Sequence, residues 1–262
     1  MTKISNKPRY WALIPAAGIG NRFDSTVPKQ YFQIQGRSVL EHTLDRFVSH
    51  PLIEQVIVIL AENDTYWPHL PYRESLHPKI TTTYGGVERV HSVLNGLHYL
   101  KSFASPQDWV LVHDAVRPCL HPQDVTKLIE QLKDHPVGGL LAIPVKDTMK
   151  RANENLQIVA TVPRVDLWHA LTPQMFRYDL LYAALQSVVD NNHSVTDEAA
   201  AVEYSGATPL LIEGRRDNIK LTYQEDIALL EMYLAGSANT NSGVRFPCND
   251  LKEKAVVLDS FG

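Results

Sequence analysis

Tyr10-Trp11-Ala12-Leu13-Ile14-Pro15-Ala16-Ala17-Gly18-Ile19-Gly20-Asn21-Arg22 is the stretch that decides the fold. Its first five residues form a short, unbroken apolar run, the pattern of a strand buried on both faces. Small residues follow at once. Two alanines and two glycines let a ligand come close to the backbone, and glycine tolerates dihedrals that turn several N–H groups toward one anion. Arg22 and, in Pro28-Lys29-Gln30, Lys29 add positive charge. A phosphate fits such a turn. The glycines alone leave open a plain strand-to-helix turn with two solvated cations. A dinucleotide fingerprint needs a third glycine where Phe23 stands, and a Walker loop needs Gly-Lys-Ser/Thr, so neither applies.

Working outward, Ser38 and Glu41 predict a capping box, with Val39, Leu40, Thr43, Leu44, Phe47 and Val48 on one helical face ending before Pro51. Val56–Leu60, Ile80–Tyr84, Trp109–Val112 and Gly138–Ile143 read as further strands, and the segment from Tyr66 to Pro78 as irregular. Between strands, Val90, Val93, Leu94 and Leu97 mark one helix; Val125, Leu128, Ile129 and Leu132 mark another, opened by Pro122. This alternation predicts an α/β fold, a doubly wound, mostly parallel twisted sheet of Rossmann-like type. Ligands then sit beyond the carboxyl ends of the strands.

The rhythm breaks at residues 145–166. Asp147–Arg151 and Gln157–Val162 alternate in polarity around Asn153-Glu154-Asn155, which predicts a projecting β-hairpin arm. A lone hairpin buries little, so a second copy of the chain is its simplest partner, giving a homodimer. Helices are expected over Phe176–Val189 and Asp197–Tyr204, a strand over Pro209–Glu213, and a last helix to about Leu234, opened by a Thr222/Glu225 capping box. Ser194 and Thr196 are candidate caps. Residues 1–236 thus form one domain, and 237–262, rich at first in Ser, Asn, Thr and Gly, a flexible tail.

A formal charge of −4 over 262 residues argues against a dedicated nucleic-acid binder, and anion binding must be local. Cys119 and Cys248, the two cysteines, are too few for a disulfide framework and suit a reducing cytoplasm. The run at 10–14 is strand-length and stops at Pro15, so no membrane partner is expected. The histidines lack paired metal spacing.

Where the Trp109–Val112 strand ends, Asp114 can bind ribose hydroxyls or a metal, and Arg117 can fork onto a phosphate. The plain alternative is an Asp–Arg pair closing a turn before Pro118. Gly85, Gly86, Arg89 and Ser92 lie along the same edge. Thr172, Ser194 and Thr196 bring hydroxyls, and Lys220, between Ile219 and Leu221, can face a cleft.

The set as a whole resembles the 2-C-methyl-D-erythritol 4-phosphate cytidylyltransferase family. The motifs that carry the likeness are residues 15–22, Pro28–Tyr31, 85–93, His113–Pro118, Asp147–Lys150, Ala170–Gln174, Thr196–Glu198 and Asp217–Lys220. The resemblance implies CMP transfer from CTP to methylerythritol 4-phosphate in non-mevalonate isoprenoid synthesis, with Mg²⁺ or another divalent cation held mainly by the CTP phosphates and with no confident side-chain metal ligand. It implies that Arg22 and Lys29 stabilise charge at the α-phosphate, that Lys220 holds phosphates, and that Arg164 on the arm grips the substrate phosphate of the neighbouring subunit. Ala16, Ala17, Gly18, Gly85, Gly86, Ser92 and Asp114 would bind CTP; Asp114, Arg117, Thr148, Thr172 and Thr196 would line the methylerythritol pocket. Val87 departs from the aspartate of some relatives, and Pro163 precedes Arg164 where an acidic or polar residue is expected. Two other readings compete: a cytidylyltransferase for another polyol phosphate such as ribitol 5-phosphate, and a non-catalytic nucleotide-binding protein.

Overall fold

The computed structural model describes residues 7–18, 23, 27–70 and 77–240. Eleven strands and six α-helices are present there: β1 (Tyr10–Pro15), β2 (Gln33–Ile34), β3 (Arg37–Ser38), α1 (Val39–Val48), β4 (Ile53–Leu60), β5 (Ile80–Tyr84), α2 (Arg89–Leu100), β6 (Trp109–Val112), α3 (Pro122–Leu132), β7 (Gly138–Pro144), β8 (Met149–Ala152), β9 (Ile158–Val162), β10 (Trp168–Arg177), α4 (Tyr178–Asp190), α5 (Glu198–Tyr204), β11 (Leu210–Glu213) and α6 (Asp226–Thr240). Seven strands make the central sheet in the order β11-β7-β10-β6-β1-β4-β5. Neighbours are parallel except β10, which runs antiparallel to both β6 and β7.

The first strand shows how the layers form. Along β1 successive side chains point to opposite faces. Ala12 and Ile14 join α1, α3 and Val56 and Val58 of β4 on one side; Trp11 and Leu13 join α2, α4 and α5 on the other. Leu13 and Ile14 have no exposed surface, and burying side chains of this size contributes about 1.5–3 kcal/mol each. Strong apolar content on both faces is what a sheet covered by helices on both sides requires.

The expected capping box opens α1: Ser38 Oγ accepts from Glu41 N at 3.2 Å and Ser38 N donates to Glu41 Oε2 at 2.7 Å. Pro122 stands at the start of α3, as expected. Four expectations need correction. The strand β10 was not anticipated, because Thr172, Pro173 and Gln174 interrupt its apolar pattern; the pairing with β7 shifts between Ala170 and Gln174, where a proline can be accommodated. Phe176 and Arg177 consequently close β10, and α4 begins only at Tyr178. Neither Ser194 nor Thr196 caps α5: Asp197 does, accepting from Ala200 N at 2.9 Å. The Thr222/Glu225 capping box does not form; the Thr222 hydroxyl donates to Lys220 O, and Asp226 accepts from Thr222 N and Tyr223 N at 2.7 and 2.8 Å. Helix α6 starts at Asp226.

Close strand packing depends on Gly138, whose φ of +124° excludes ordinary side chains and where a Cβ would lie 2.1 Å from Met175 O. The arm forms as expected from β8 and β9, antiparallel, with Asn153 Oδ1 accepting from Asn155 N and Gln157 N in the turn. Both strands are solvent-facing along nearly their whole length. Helix α6 packs Leu230 and Leu234 with Ile34, Val39, Val116 and Leu221 and extends past Leu234 to Thr240. Residues 241–262, most of the expected tail, lie outside the described residues, as does Arg22. Among the described residues, no helix is long and apolar enough to cross a membrane.

Candidate active site

The sheet order places the topological switch between β1 and β6: from β1 the chain moves outward to β4 and β5, then returns to β6 on the other flank. A crevice opens where the carboxyl ends of these strands diverge. It is lined by Ala16, Ala17 and Gly18 after β1, by Lys29 and Gln30, by the 86–92 turn into α2, by Asp114 after β6, and by Lys220. A second pocket adjoins it, with Arg117, Thr172, Thr196 and Asp197 in its wall; Arg89, Asp114 and Lys220 belong to both.

The 85–92 turn is shaped by exclusion. A Cβ at Gly85 would stand 2.6 Å from Ala17 Cβ and 2.7 Å from Ser92 Oγ, so only glycine lets the two halves of the crevice meet. Ser92 is buried and its hydroxyl is committed to the turn, accepting from Gly86 N at 3.1 Å and donating to Glu88 O at 3.1 Å. Its hydroxyl therefore supports the backbone that faces the crevice.

Between the pockets lies the electrostatic centre. Asp114 receives Lys220 Nζ at 2.9 Å and Arg117 Nε at 3.3 Å on Oδ2, and Arg89 Nη2 at 3.3 Å on Oδ1. Burial works to raise its carboxyl, but attraction to Arg89, then Lys220 and Arg117, outweighs it and holds the group well below the usual carboxylate range. Arg89 is shared: it forks onto Glu198, Nη1 to Oε1 at 2.5 Å and Nη2 to Oε2 at 3.1 Å. Burial favours the neutral guanidine, yet Glu198 and Asp114 together push the Arg89 pKa up. Lys220, about one-third exposed, is the most open of the three cations.

His113 braces this centre from behind. Nε2 faces Arg117 O at 3.1 Å, an acceptor, so Nε2 carries the proton and Nδ1 accepts from the Thr172 hydroxyl at 2.9 Å; Thr172 Oγ1 in turn accepts from Asp114 N at 3.2 Å. Complete burial is the main cause that pushes the imidazole down to about 4. Asn218 Nδ2 donates to Thr172 O at 2.8 Å, while the Asn218 backbone carbonyl accepts from Arg117 Nη1 at 2.7 Å. Gln174 ties β10 to the start of α5 through Asp197 Oδ2 and Ala199 N.

The structure thus brings together Ala16, Ala17, Gly18, Lys29, Gly85, Gly86, Ser92, Asp114, Arg117, Thr172, Thr196 and Lys220. The Asp114–Arg117 pair that could merely close a turn does so, and also lines the pocket. Thr148 and Arg164 are absent from the linings of both pockets; they belong to the arm segment, where the Arg164 guanidinium donates to Lys146 O. Sequence reasoning assigned no site role to Glu198, His113, Gln30 or Asn218. All four lie inside the motifs given above, but only the fold shows that their side chains hold the site's cations and loops. Among the described residues, no cluster of three His, Cys, Asp or Glu side chains could hold a metal.

Residues 10–236 match the family described as 2-C-methyl-D-erythritol 4-phosphate cytidylyltransferase. A protein of that name from Pseudomonas putida (strain GB-1) is 50% identical over 234 residues, 89% of this chain and 99% of that one. One from Vibrio vulnificus (strain YJ016) is 50% identical over 224 residues, 86% and 94% of the two chains. Among solved structures, a 4-diphosphocytidyl-2C-methyl-D-erythritol synthase superposes with a TM-score of 0.76 at 40% identity, covering 88% of this chain and 100% of that one. The Francisella tularensis 2-C-methyl-D-erythritol 4-phosphate cytidylyltransferase does so with a TM-score of 0.75 at 35% identity, covering 86% and 99%. The crevice at the β1–β6 switch and these likenesses over the whole sheet make the chain a member of the 2-C-methyl-D-erythritol 4-phosphate cytidylyltransferase family, a nucleotidyltransferase.

Proposed function

We propose that the crevice binds CTP and that the chain transfers its CMP to 2-C-methyl-D-erythritol 4-phosphate, a step of isoprenoid precursor synthesis. The observation that carries this reading is the family match across residues 10–236, the whole of the domain that builds the site. A phosphate oxygen of the acceptor attacks the α-phosphorus of CTP; the bond from that phosphorus to the bridging oxygen breaks, and pyrophosphate leaves with the electron pair. The protein contributes position and compensating charge.

Each side chain has a part in this scheme. Ala16, Ala17, Gly18, Gly85 and Gly86 receive the nucleotide through their backbone, on a turn that Ser92 supports. Lys29, with Arg22, opposes the charge that grows at the α-phosphate. Lys220 can exchange Asp114 for a phosphate, and Asp114 can turn a freed oxygen to a ribose or polyol hydroxyl. Arg117, Thr172 and Thr196 form the acceptor pocket. Asp114 already carries three cations, so it suits this hydroxyl role better than that of a metal ligand. A divalent cation, Mg²⁺ or another, carried in by the triphosphate would add charge compensation.

The arm serves a second copy in this reading. Ile158, Val159 and Val165 are 66%, 56% and 75% exposed, and a two-stranded hairpin of this kind needs a partner surface. Thr148 and Arg164 then reach the neighbour's acceptor pocket. A fully active monomer in sedimentation would overturn this part. The low cysteine content supports a cytoplasmic setting.

The deciding measurement is pyrophosphate release from CTP with methylerythritol 4-phosphate against ribitol 5-phosphate, each with and without Mg²⁺. Turnover is expected with the first acceptor and Mg²⁺. Turnover with ribitol 5-phosphate alone would move the assignment to another polyol phosphate, and CTP binding without turnover would leave a nucleotide-binding protein.

A further inference from the structure

The one-turn helix Lys29–Tyr31 carries a lysine assigned above to the chemistry, followed by a glutamine with no assigned role. Gln30 is 4% exposed. Its Nε2 lies 2.8 Å from Ala16 O and 3.2 Å from Gly18 O. Both partners are carbonyls and can only accept, so the amide nitrogen is the atom that faces them, and each of its two protons has one acceptor. These carbonyls belong to the turn that forms the first wall of the crevice, and Gln30 is itself part of the lining.

We infer that Gln30 is a positioning residue, whose carboxamide locks the Ala16–Gly18 nucleotide loop to the turn that presents Lys29. Gln30 follows Lys29 directly, so one side chain holds the Ala16 and Gly18 carbonyls and the Lys29 turn in register. The far side of the turn is fixed as well: Tyr31 OH donates to Asp64 Oδ2 at 2.6 Å, and its ring stacks on Tyr66 with centroids 5.0 Å apart. Lys29 therefore sits on a turn clamped by its two following residues, one to the nucleotide loop and one to the 64–66 segment. A reaction that depends on charge placed at one phosphorus loses rate steeply when that charge is displaced by about 1 Å.

The inference rests on the proposed role of Lys29, so the test separates the two. Gln30→Met keeps length and removes both donors. Gln30→Glu keeps shape but sets a carboxylate against two carbonyl oxygens; that environment raises its pKa, and the protonated acid regains one donor. Steady-state kcat and KM for CTP and acceptor would be measured from pH 5.5 to 8, alongside far-ultraviolet circular dichroism and the thermal midpoint.

We expect Gln30→Met to fold and to lose tenfold or more in kcat, with a rise in the CTP KM and no change in the acceptor KM. Gln30→Glu should recover relative to the unmodified enzyme as pH falls, and Gln30→Met should not. A folded Gln30→Met within twofold of the unmodified kcat overturns the inference, as does a Gln30→Glu deficit that stays flat with pH. Unfolding of both variants would make Gln30 a scaffold residue and overturn it too. If Lys29→Ala itself retains full kcat, the role assigned to Lys29 fails; if Lys29→Ala is impaired and the Gln30 variants are not, only the positioning role fails.

Discussion

Replacing Arg89 by methionine strands a buried carboxylate. Glu198 is 1% exposed and takes both terminal nitrogens of Arg89, at 2.5 and 3.1 Å. Removing one partner of a buried pair costs about 3–5 kcal/mol, most of it the penalty of leaving the other charge in place. The Arg89 side chain is 32% exposed, so water can partly replace it, and the lower end, about 3 kcal/mol, is the fitting figure. For a domain of this size that corresponds to a fall of about 6–12 °C in the unfolding midpoint. Guanidinium unfolding near neutral pH measures the loss directly. Adding Glu198→Gln to Arg89→Met removes the stranded charge and should restore part of the stability. A loss under about 1 kcal/mol, or a double variant less stable than the single one, would refute the reasoning.

Three further outcomes follow from the same geometry. Lys29→Ala should lower kcat far more than it weakens CTP binding, measured by single turnover and calorimetry; an effect on binding alone would make Lys29 a nucleotide clamp. His113, pushed down to about 4 by burial, is favoured neutral in the fold; the resulting stability is full above its unfolded pKa of about 6.5 and is lost as pH falls toward 4, worth about 3 kcal/mol, and His113→Gln should remove that part of the slope. Gly85→Ala puts a Cβ 2.6 Å from Ala17 Cβ, so it should cost about 1–3 kcal/mol and raise the KM for CTP; unchanged KM and midpoint would show that the turn yields without moving the loop.

The part of the fold legible in the sequence is the part whose burial is apolar. Val56 to Leu60 and Trp109 to Val112 read as buried strands because every side chain in them is buried. Strand β10 breaks that rule. Thr172 and Gln174 are 5% and 1% exposed, yet polar, and Pro173 lies between them. Their burial is offset by bonds to His113, Asp114 N, Asp197 and Ala199 N, all from other elements. Such partners are distant in sequence and no local period announces them. Glu198 and Gln30 were hidden for the same reason: each acts on a residue contributed by another segment.

The polar strand also explains how the crevice tolerates its charge. A triphosphate site needs positive charge, but three bare cations could not stay at a buried centre, given the cost of burying unpaired charge. Arg89, Arg117 and Lys220 face Asp114 and Glu198, three positive charges against two negative, leaving one. Lys29 at the crevice wall makes two. Asp114 can hold this position because His113 and Thr172 fix its backbone from below, and Thr172 is placed by the interruption in β10 that hid the strand. An uninterrupted apolar β10 would leave the Asp114 N–H and His113 Nδ1 without the Thr172 hydroxyl, and so would loosen the carboxylate on which all three cations converge.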